Sequence, residues 1–246
     1  MNAGRREARN LRRFLLAVLA LAALMFAGPW LYQYFELAAL GYAVKGVDVS
    51  HYQGEIDWRT LSESGIRFAY IKATEGATRR DPRFAENWQR SHDAGIVRGA
   101  YHYFSLCKSG AGQAANFIGA IPPGAASLPH ALDVEQMEPC PNGKRLADPL
   151  AEIGAFLDAA EKHFGRRPLV YTTREFYEAY FRDGWPAERL GKERFWLRSL
   201  HRAPGYGRWI LWQYHNRGRR KGIAGPVDLN AFNGSAEEFE KFAAPQ

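Results

Sequence analysis

The sequence predicts an α/β fold, an irregular (β/α) TIM-like barrel preceded by one N-terminal transmembrane helix. Three observations predict it. From Ala43 onward, eight short apolar runs alternate with helix-patterned stretches; glycines stand where helices should stop before the next run; and the 19 residues from Phe14 to Tyr32 carry no charge. With 46% of 246 residues apolar, one core of barrel size can be filled, since single α/β barrels commonly occupy about 200–250 residues. The same composition excludes a disordered, collagen-like or disulfide-framework chain.

Residues 1–13 hold Arg5, Arg6, Arg9, Arg12 and Arg13 against the single acid Glu7, a local +4 within the overall +7. About 20 apolar residues at 1.5 Å rise cross a hydrocarbon core, so residues 14–32 read as a transmembrane signal anchor. The arginines stay cytoplasmic by the positive-inside rule, which sends a linker at residues 33–42 and the barrel domain at residues 43–246 across the inner (cytoplasmic) membrane to its periplasmic or extracytoplasmic side. A cleaved signal peptide is the competing reading. Met25-Phe26-Ala27 has Met where a small residue belongs and Pro29 lies just beyond, which favours a single-pass protein whose span is retained.

Lys45–Val49 opens the barrel. Asp57-Trp58 starts a helix that Gly65 stops, and the strand Arg67–Ala73 follows. Asp81-Pro82 opens a second helix with proline near its first turn, ended by Gly95 before Val97–Phe104. Ser109–Ile121 holds a third helix, followed by the strand His130–Glu135. Pro149–Phe164 is a fourth, ended by Gly165 before Pro168–Thr172. Phe195–Arg198, Trp209–Tyr214 and Val227–Asn230 complete the eight strands, and the short connections around Trp185–Glu193 and Asn216–Pro226 argue against a full ring of eight helices. Ser235–Phe242 reads as a closing amphipathic helix packed on the outside. Cys107 and Cys140 form no CxxC pair; an oxidising compartment permits a disulfide between them, and two separate buried thiols are the alternative.

In a parallel barrel, chemistry collects at the carboxyl ends of the strands. Those ends carry Asp48, Lys72 with Glu75 beyond it, His102, Asp133 and Glu135, Tyr171, Arg198, Gln213 with Tyr214, and Asp228. In Leu132-Asp133-Val134-Glu135 the two carboxylates face one side of a strand, roughly 6.5–7 Å apart along the backbone. Carboxylates so close resist joint ionisation, and glycosidic cleavage needs such a split: one acid to protonate the leaving oxygen, one carboxylate to stabilise developing positive charge. Asp48 and Asp228 terminate the first and last strands, which barrel closure makes neighbours. Tyr52, Tyr101, Tyr103, Tyr171, Trp196, Trp212 and Tyr214 follow the same ends and offer stacking faces for sugar rings, with plain barrel core as the alternative.

A divalent ion on Asp48, His51, His102, Asp133 and Asp228 is the sharpest rival, but no HxH or HExxH spacing supports it. No metal and no cofactor are therefore expected. Removing the N-terminal +4 leaves +3 on the other 233 residues, with no recognition motif, which argues against a nucleic-acid partner.

With these residues assembled, the chain resembles the glycoside hydrolase family 25 lysozymes, which cut peptidoglycan glycan strands. The match runs through Gly46-Val47-Asp48-Val49-Ser50-His51-Tyr52-Gln53-Gly54, Ile56-Asp57-Trp58, Phe68 to Gly76, Asp81-Pro82-Arg83-Phe84 and Gly99-Ala100-Tyr101-His102-Tyr103-Phe104. It continues in Leu132-Asp133-Val134-Glu135, Val170-Tyr171-Thr172, Trp212-Gln213-Tyr214 and Gly225 to Asn230, in order across about 190 residues. The resemblance implies hydrolysis of the β-1,4 bond between N-acetylmuramic acid and N-acetylglucosamine by a monomer. Carried over, Glu135 is the general acid and Asp133 the second catalytic carboxylate, as nucleophile or by orienting the substrate's N-acetyl group. Asp48, Asp228, His102, Tyr101, Tyr52, Tyr171, Gln213, Trp212 and Arg198 are then the substrate-binding set.

The sequence departs from the family in two places. Tyr52 stands where tryptophan is usual, and Trp196-Leu197-Arg198-Ser199-Leu200 lacks the familiar alanine and tyrosine. Arg198 is either a binder of a muramyl or stem-peptide carboxylate or the partner of a local acid. A non-catalytic peptidoglycan-binding envelope module and a metal-dependent hydrolase on the same barrel remain the alternative functions.

Overall fold

The computed structural model describes residues 10–19, 38–124, 128–135, 140, 143, 145–200 and 202–244. Residues 10–19 are helical and exposed, whereas residues 20–32 of the expected span lie outside the described residues. Among the described residues no helix is long and apolar enough to cross a membrane.

Among the described residues nine strands form one sheet: β1 (Lys45–Val49), β2 (Ile66–Glu75), β3 (Arg79–Arg80), β4 (Val97–Tyr103), β5 (Ala131–Val134), β6 (Leu169–Thr173), β7 (Phe195–Arg198), β8 (Trp209–Gly218) and β9 (Val227–Phe232). The sheet closes because β1 pairs with β2 on one side and β9 on the other, giving an eight-stranded barrel from which the short β3 hangs as a hairpin on β2. All eight expected strands are present. Their direction differs in one respect: β9 runs antiparallel to both β8 and β1. Asp228 therefore lies at the start of its strand, and it reaches the same mouth as the carboxyl end of β1 because β9 is reversed.

The helices that matter for the site are α1 (Trp58–Glu63), α2 (Phe84–Asp93), α3 (Gly110–Ile118), α4 (Pro149–Phe164) and α5 (Ala236–Ala243). The side chains of Asp57, Ser109, Asp148 and Ser235 accept from backbone N–H groups in the first turns of α1, α3, α4 and α5, relieving donors that have no intrahelical partner. Gly165 ends α4 at φ 73°, a left-handed conformation that costs glycine little. After β6 the helical layer continues in one stretch over Arg174–Gly184, whose middle, Tyr177–Phe181, is π-helical, and in a single turn at Ala187–Leu190.

Strand alternation divides the core in two. Outward-facing Val47, Ala69, Ile71, Leu132, Val170, Leu197, Leu229 and Ala231 pack against the helices. Inward-facing Phe68, Tyr70, Leu169, Trp196, Leu211 and Phe232 fill one pole of the barrel. Helix α5 was expected on the outside, but its Phe239 and Ala243 join this inner cluster, with Phe239 5.5 Å from Phe68 and 5.3 Å from Phe232 between ring centroids. It plugs that pole, because an open barrel end would leave those rings in water. Ahead of β1, Tyr42 packs on Trp209 and Trp212 in the outer layer, and the Lys45 ammonium donates to the Ala39 carbonyl. Cys107 and Cys140 are joined in a disulfide, tying the turn after β4 to the segment after β5.

Candidate active site

The pole opposite α5 opens into a cleft of about 680 Å³, lined by the ends of the strands. Alternation decides which strand-end side chains reach it. On β5, Asp133 points in and Glu135 follows just beyond the strand, while Leu132 and Val134 face out. On β4, Tyr101 and Tyr103 point in; on β1, Asp48 does so between outward Val47 and Val49.

Asp48 is the most firmly held of the four acids. Its Oδ2 accepts from Asn230 Nδ2 at 2.7 Å and from Gln213 Nε2 at 3.1 Å. Asn230 Oδ1 in turn accepts from Trp196 Nε1 at 2.8 Å, and Gln213 Oε1 from the Tyr171 hydroxyl at 2.9 Å. A chain of side chains from five strands thus orients one carboxylate. Asp228 sits opposite Asp48 in register and shares a side-chain hydrogen bond with it. Burial and then the Asp48 charge push Asp228 up to about 9, so Asp228 keeps the proton and donates it to Asp48.

Asp133 and Glu135 are both raised above the ordinary carboxylate range, burial being the leading cause. For Asp133 the charges of Glu135 and Asp48 push further in the same direction. For Glu135 the nearby Arg198 guanidinium opposes the shift, its Nη1 lying 3.8 Å from Oε2. Asp133 lines the cleft, and its Oδ1 is buried with no hydrogen-bond partner among the described residues. Lys72 offsets some of the negative charge; it bonds Glu75 at 2.8 Å and lies over the Tyr103 ring.

Of the residues singled out in the sequence, Asp48, Tyr52, Tyr101, Asp133, Glu135, Tyr171, Arg198, Gln213 and Asp228 line the cleft together. Tyr52 is the exposed one, 81% accessible on the rim, with its ring 4.1 Å from that of His51. His102 and Trp212 do not line it. His102 occupies the outward face of β4, where Nδ1 contacts Thr74 Oγ1 at 2.7 Å, Nε2 contacts Gln113 Oε1 at 3.2 Å, and the ring stacks on Phe156. Trp212 faces out between Tyr42 and Tyr214 and donates to the Ser199 carbonyl. Both fall one residue out of phase with the cleft-facing neighbours Tyr101 and Gln213.

Of the set that a metal would use, Asp48, Asp133 and Asp228 share the mouth while His102 faces away from it. His51 is held by Asp81 at 2.7 Å, and among the described residues no three His, Cys, Asp or Glu side chains are grouped to hold an ion. Asn230, Ser50, Gln53 and Asn216 escaped the sequence reading; Asn230 and Ser50 had a signal, standing two residues after Asp228 and Asp48 and hence on the same face. A larger depression of about 900 Å³ lies at the other pole near Arg166 and Arg194, but its Arg167 is committed to Glu193, Asp158 and Glu161, and it holds none of the four acids.

The family model described as Glycosyl hydrolases family 25 matches residues 47–223. The chain is 38% identical to the uncharacterized protein YegX of Escherichia coli (strain K12) over 210 residues, covering 82% of this chain and 74% of that one. It is 36% identical to Lysozyme M1 of Streptomyces globisporus over 207 residues, covering 78% and 69%. Among solved structures, a family 25 glycosyl hydrolase from Bacillus anthracis superposes with TM-score 0.74 at 37% identity, covering 83% of this chain and 95% of that one. A bacterial lysozyme from Streptomyces coelicolor does so with TM-score 0.71 at 34% identity, covering 82% and 97%.

Proposed function

The chain belongs to family 25 of the glycosyl hydrolases, and from that premise we propose that it is a muramidase hydrolysing the β-1,4 bond between N-acetylmuramic acid and N-acetylglucosamine in peptidoglycan. The observation that carries this reading is the convergence of Asp48, Asp133, Glu135 and Asp228 on one mouth, with burial holding their proton affinities up. Glu135 is the general acid. Its side chain is 25% exposed, so it can recover a proton from solvent after each turnover, and its raised proton affinity keeps that proton available at mild pH.

Asp133 is the second catalytic carboxylate. Lining the cleft with its proton affinity raised, it acts on the bound sugar as nucleophile at the anomeric carbon or by accepting from the N-acetyl N–H. Asp48 and protonated Asp228 form a rigid wall that orients substrate and adds negative potential behind a developing oxocarbenium ion. Tyr52 and Tyr103 supply ring faces for the sugars.

We further propose that residues 14–32 anchor the protein in the inner membrane, with the barrel on the extracytoplasmic side as a monomer. The uncharged 19-residue stretch behind five arginines supports this, and the Cys107–Cys140 disulfide fits an oxidising compartment. Intact protein in a membrane fraction, protected from added protease until the outer face is opened, is the expected result; a mature chain lacking residues 1–30 in the soluble fraction refutes the anchor.

The activity is tested by incubating the full-length protein in detergent with purified peptidoglycan and reducing the products with borohydride. Muramitol appears if the bond is cut as proposed. Glucosaminitol in its place reassigns the bond, and binding without new reducing ends points to a non-catalytic module.

A further inference from the structure

Three cations line the cleft among the described residues: Lys72, Arg79 and Arg198. Lys72 and Arg79 are both committed to Glu75, at 2.8 and 3.0 Å. Arg198 is placed differently. Glu135 at 3.8 Å is beyond hydrogen-bond reach, and the Arg198 guanidinium donates no hydrogen bond among the described residues. A guanidinium carries five N–H donors in a planar fork suited to a carboxylate, and here the side chain is 35% exposed at the cleft wall.

The base of the side chain is fixed while its head is not. Arg198 ends β7, in register with Thr173 of β6 and Gln213 of β8, and its carbonyl accepts from the Tyr206 hydroxyl at 2.9 Å. A strand-end cation with its backbone pinned, its donors unspent and an acid just out of reach is prepared to receive a second carboxylate from the cleft. Those acids of the same mouth that are ionised repel a substrate carboxylate, and a cation at the wall offsets that repulsion.

Resting on the muramidase reading, we propose that Arg198 is a specificity-determining residue: its guanidinium takes a carboxylate of the bound glycan strand and releases Glu135. That carboxylate belongs either to the lactyl group of muramic acid or to a stem peptide. Release has a consequence for the acid. Glu135 is also faced by Asp48, Lys72, Tyr103, Asp133, Tyr171 and Asp228, and Arg198 is the largest influence holding its proton affinity down. With Arg198 turned to substrate, Glu135 holds its proton more firmly while the bond to be cut is in place.

The test compares wild-type protein, Arg198→Gln and Arg198→Lys on three substrates: strands carrying stem peptides, strands stripped of peptide so that lactyl carboxylates are free, and stripped strands with those carboxylates converted to amides. The expected result is a loss of kcat/KM in Arg198→Gln at least tenfold larger on one carboxylate-bearing form than on the amidated strands, with partial recovery in Arg198→Lys. Whichever carboxylate form shows the larger loss identifies the source. An equal loss on all three, with a lowered melting temperature, overturns the inference and leaves Arg198 as a structural ion-pair partner. If wild-type protein opens none of the three, the muramidase reading fails and the inference falls with it.

Discussion

Asp48 and Asp228 stand opposite each other across the antiparallel β1–β9 seam, and burial raises the proton affinity of both. The reversed strand that closes the barrel thereby sets two buried acids side by side in the mouth.

This pair makes stability depend on pH in a definite direction. From the ordinary aspartate value of 3.8 up to about 9, the folded protein binds a proton at Asp228 that the unfolded chain has released, so stability falls as pH rises through that window. In Asp228→Asn an amide N–H replaces the carboxyl donor and has no proton to lose. The variant should melt roughly 2–5 °C above wild type at pH 8 and show no gain at pH 3. A gain of equal size at both pH values would refute the raised proton affinity of Asp228.

Glu135→Gln should lower the release of reducing ends by roughly 10²–10⁴, while the melting temperature holds or rises because a buried carboxylate with raised proton affinity has been removed. Asp133→Asn should also lose activity and keep its fold. Retained turnover in Glu135→Gln would remove Glu135 from the role of acid.

His102 belongs to the barrel wall, and its replacement should separate stability from catalysis. The ring is buried and neutral, its proton affinity lowered to about 4 chiefly by burial. Between about 6.5 and 4 the unfolded chain binds a proton that the folded ring refuses, so this contribution to stability is lost as pH falls through the window. His102→Gln should flatten that acid-side loss in urea titrations at pH 4.5 and 7, lower stability at pH 7 by about 1–3 kcal/mol through its broken bonds to Thr74 and Gln113, and leave KM for peptidoglycan unchanged. A raised KM would return His102 to the substrate site.

The disulfide spans 33 residues of sequence and includes the strand that bears Asp133. Chain-entropy reasoning assigns such a loop ~3–4 kcal/mol. Reduction, or the double change Cys107→Ser and Cys140→Ser, should lower the melting temperature and the rate of reducing-end release together. No change in either under full reduction would show that the loop holds its shape unaided.

The strands were legible because each is a short apolar run bounded by turn signals, and the capped helices because Asp57, Ser109 and Ser235 announce their first turns. The four acids were legible as strand-end residues. The errors share a physical origin in side-chain phase. His102 and Trp212 stand at strand ends as surely as Tyr101 and Gln213, yet the two-residue repeat turns them toward the helices. Asp228 was placed at the right mouth although its strand runs the other way, since nothing local in Val227–Phe232 states a direction. The partnership of Asn230 with Asp48 spans 182 residues and exists only after closure.

The packing of Tyr42 on Trp209 and Trp212 has a mechanical consequence. Tension applied to the chain upstream of residue 38 is delivered to the outer face of β8 and to the start of β1, where these aromatic contacts bear it. Two residues of β1 then separate Lys45 from Asp48, about 10 Å along the strand. A pull from upstream reaches the acids only through the hydrogen-bonded length of the sheet.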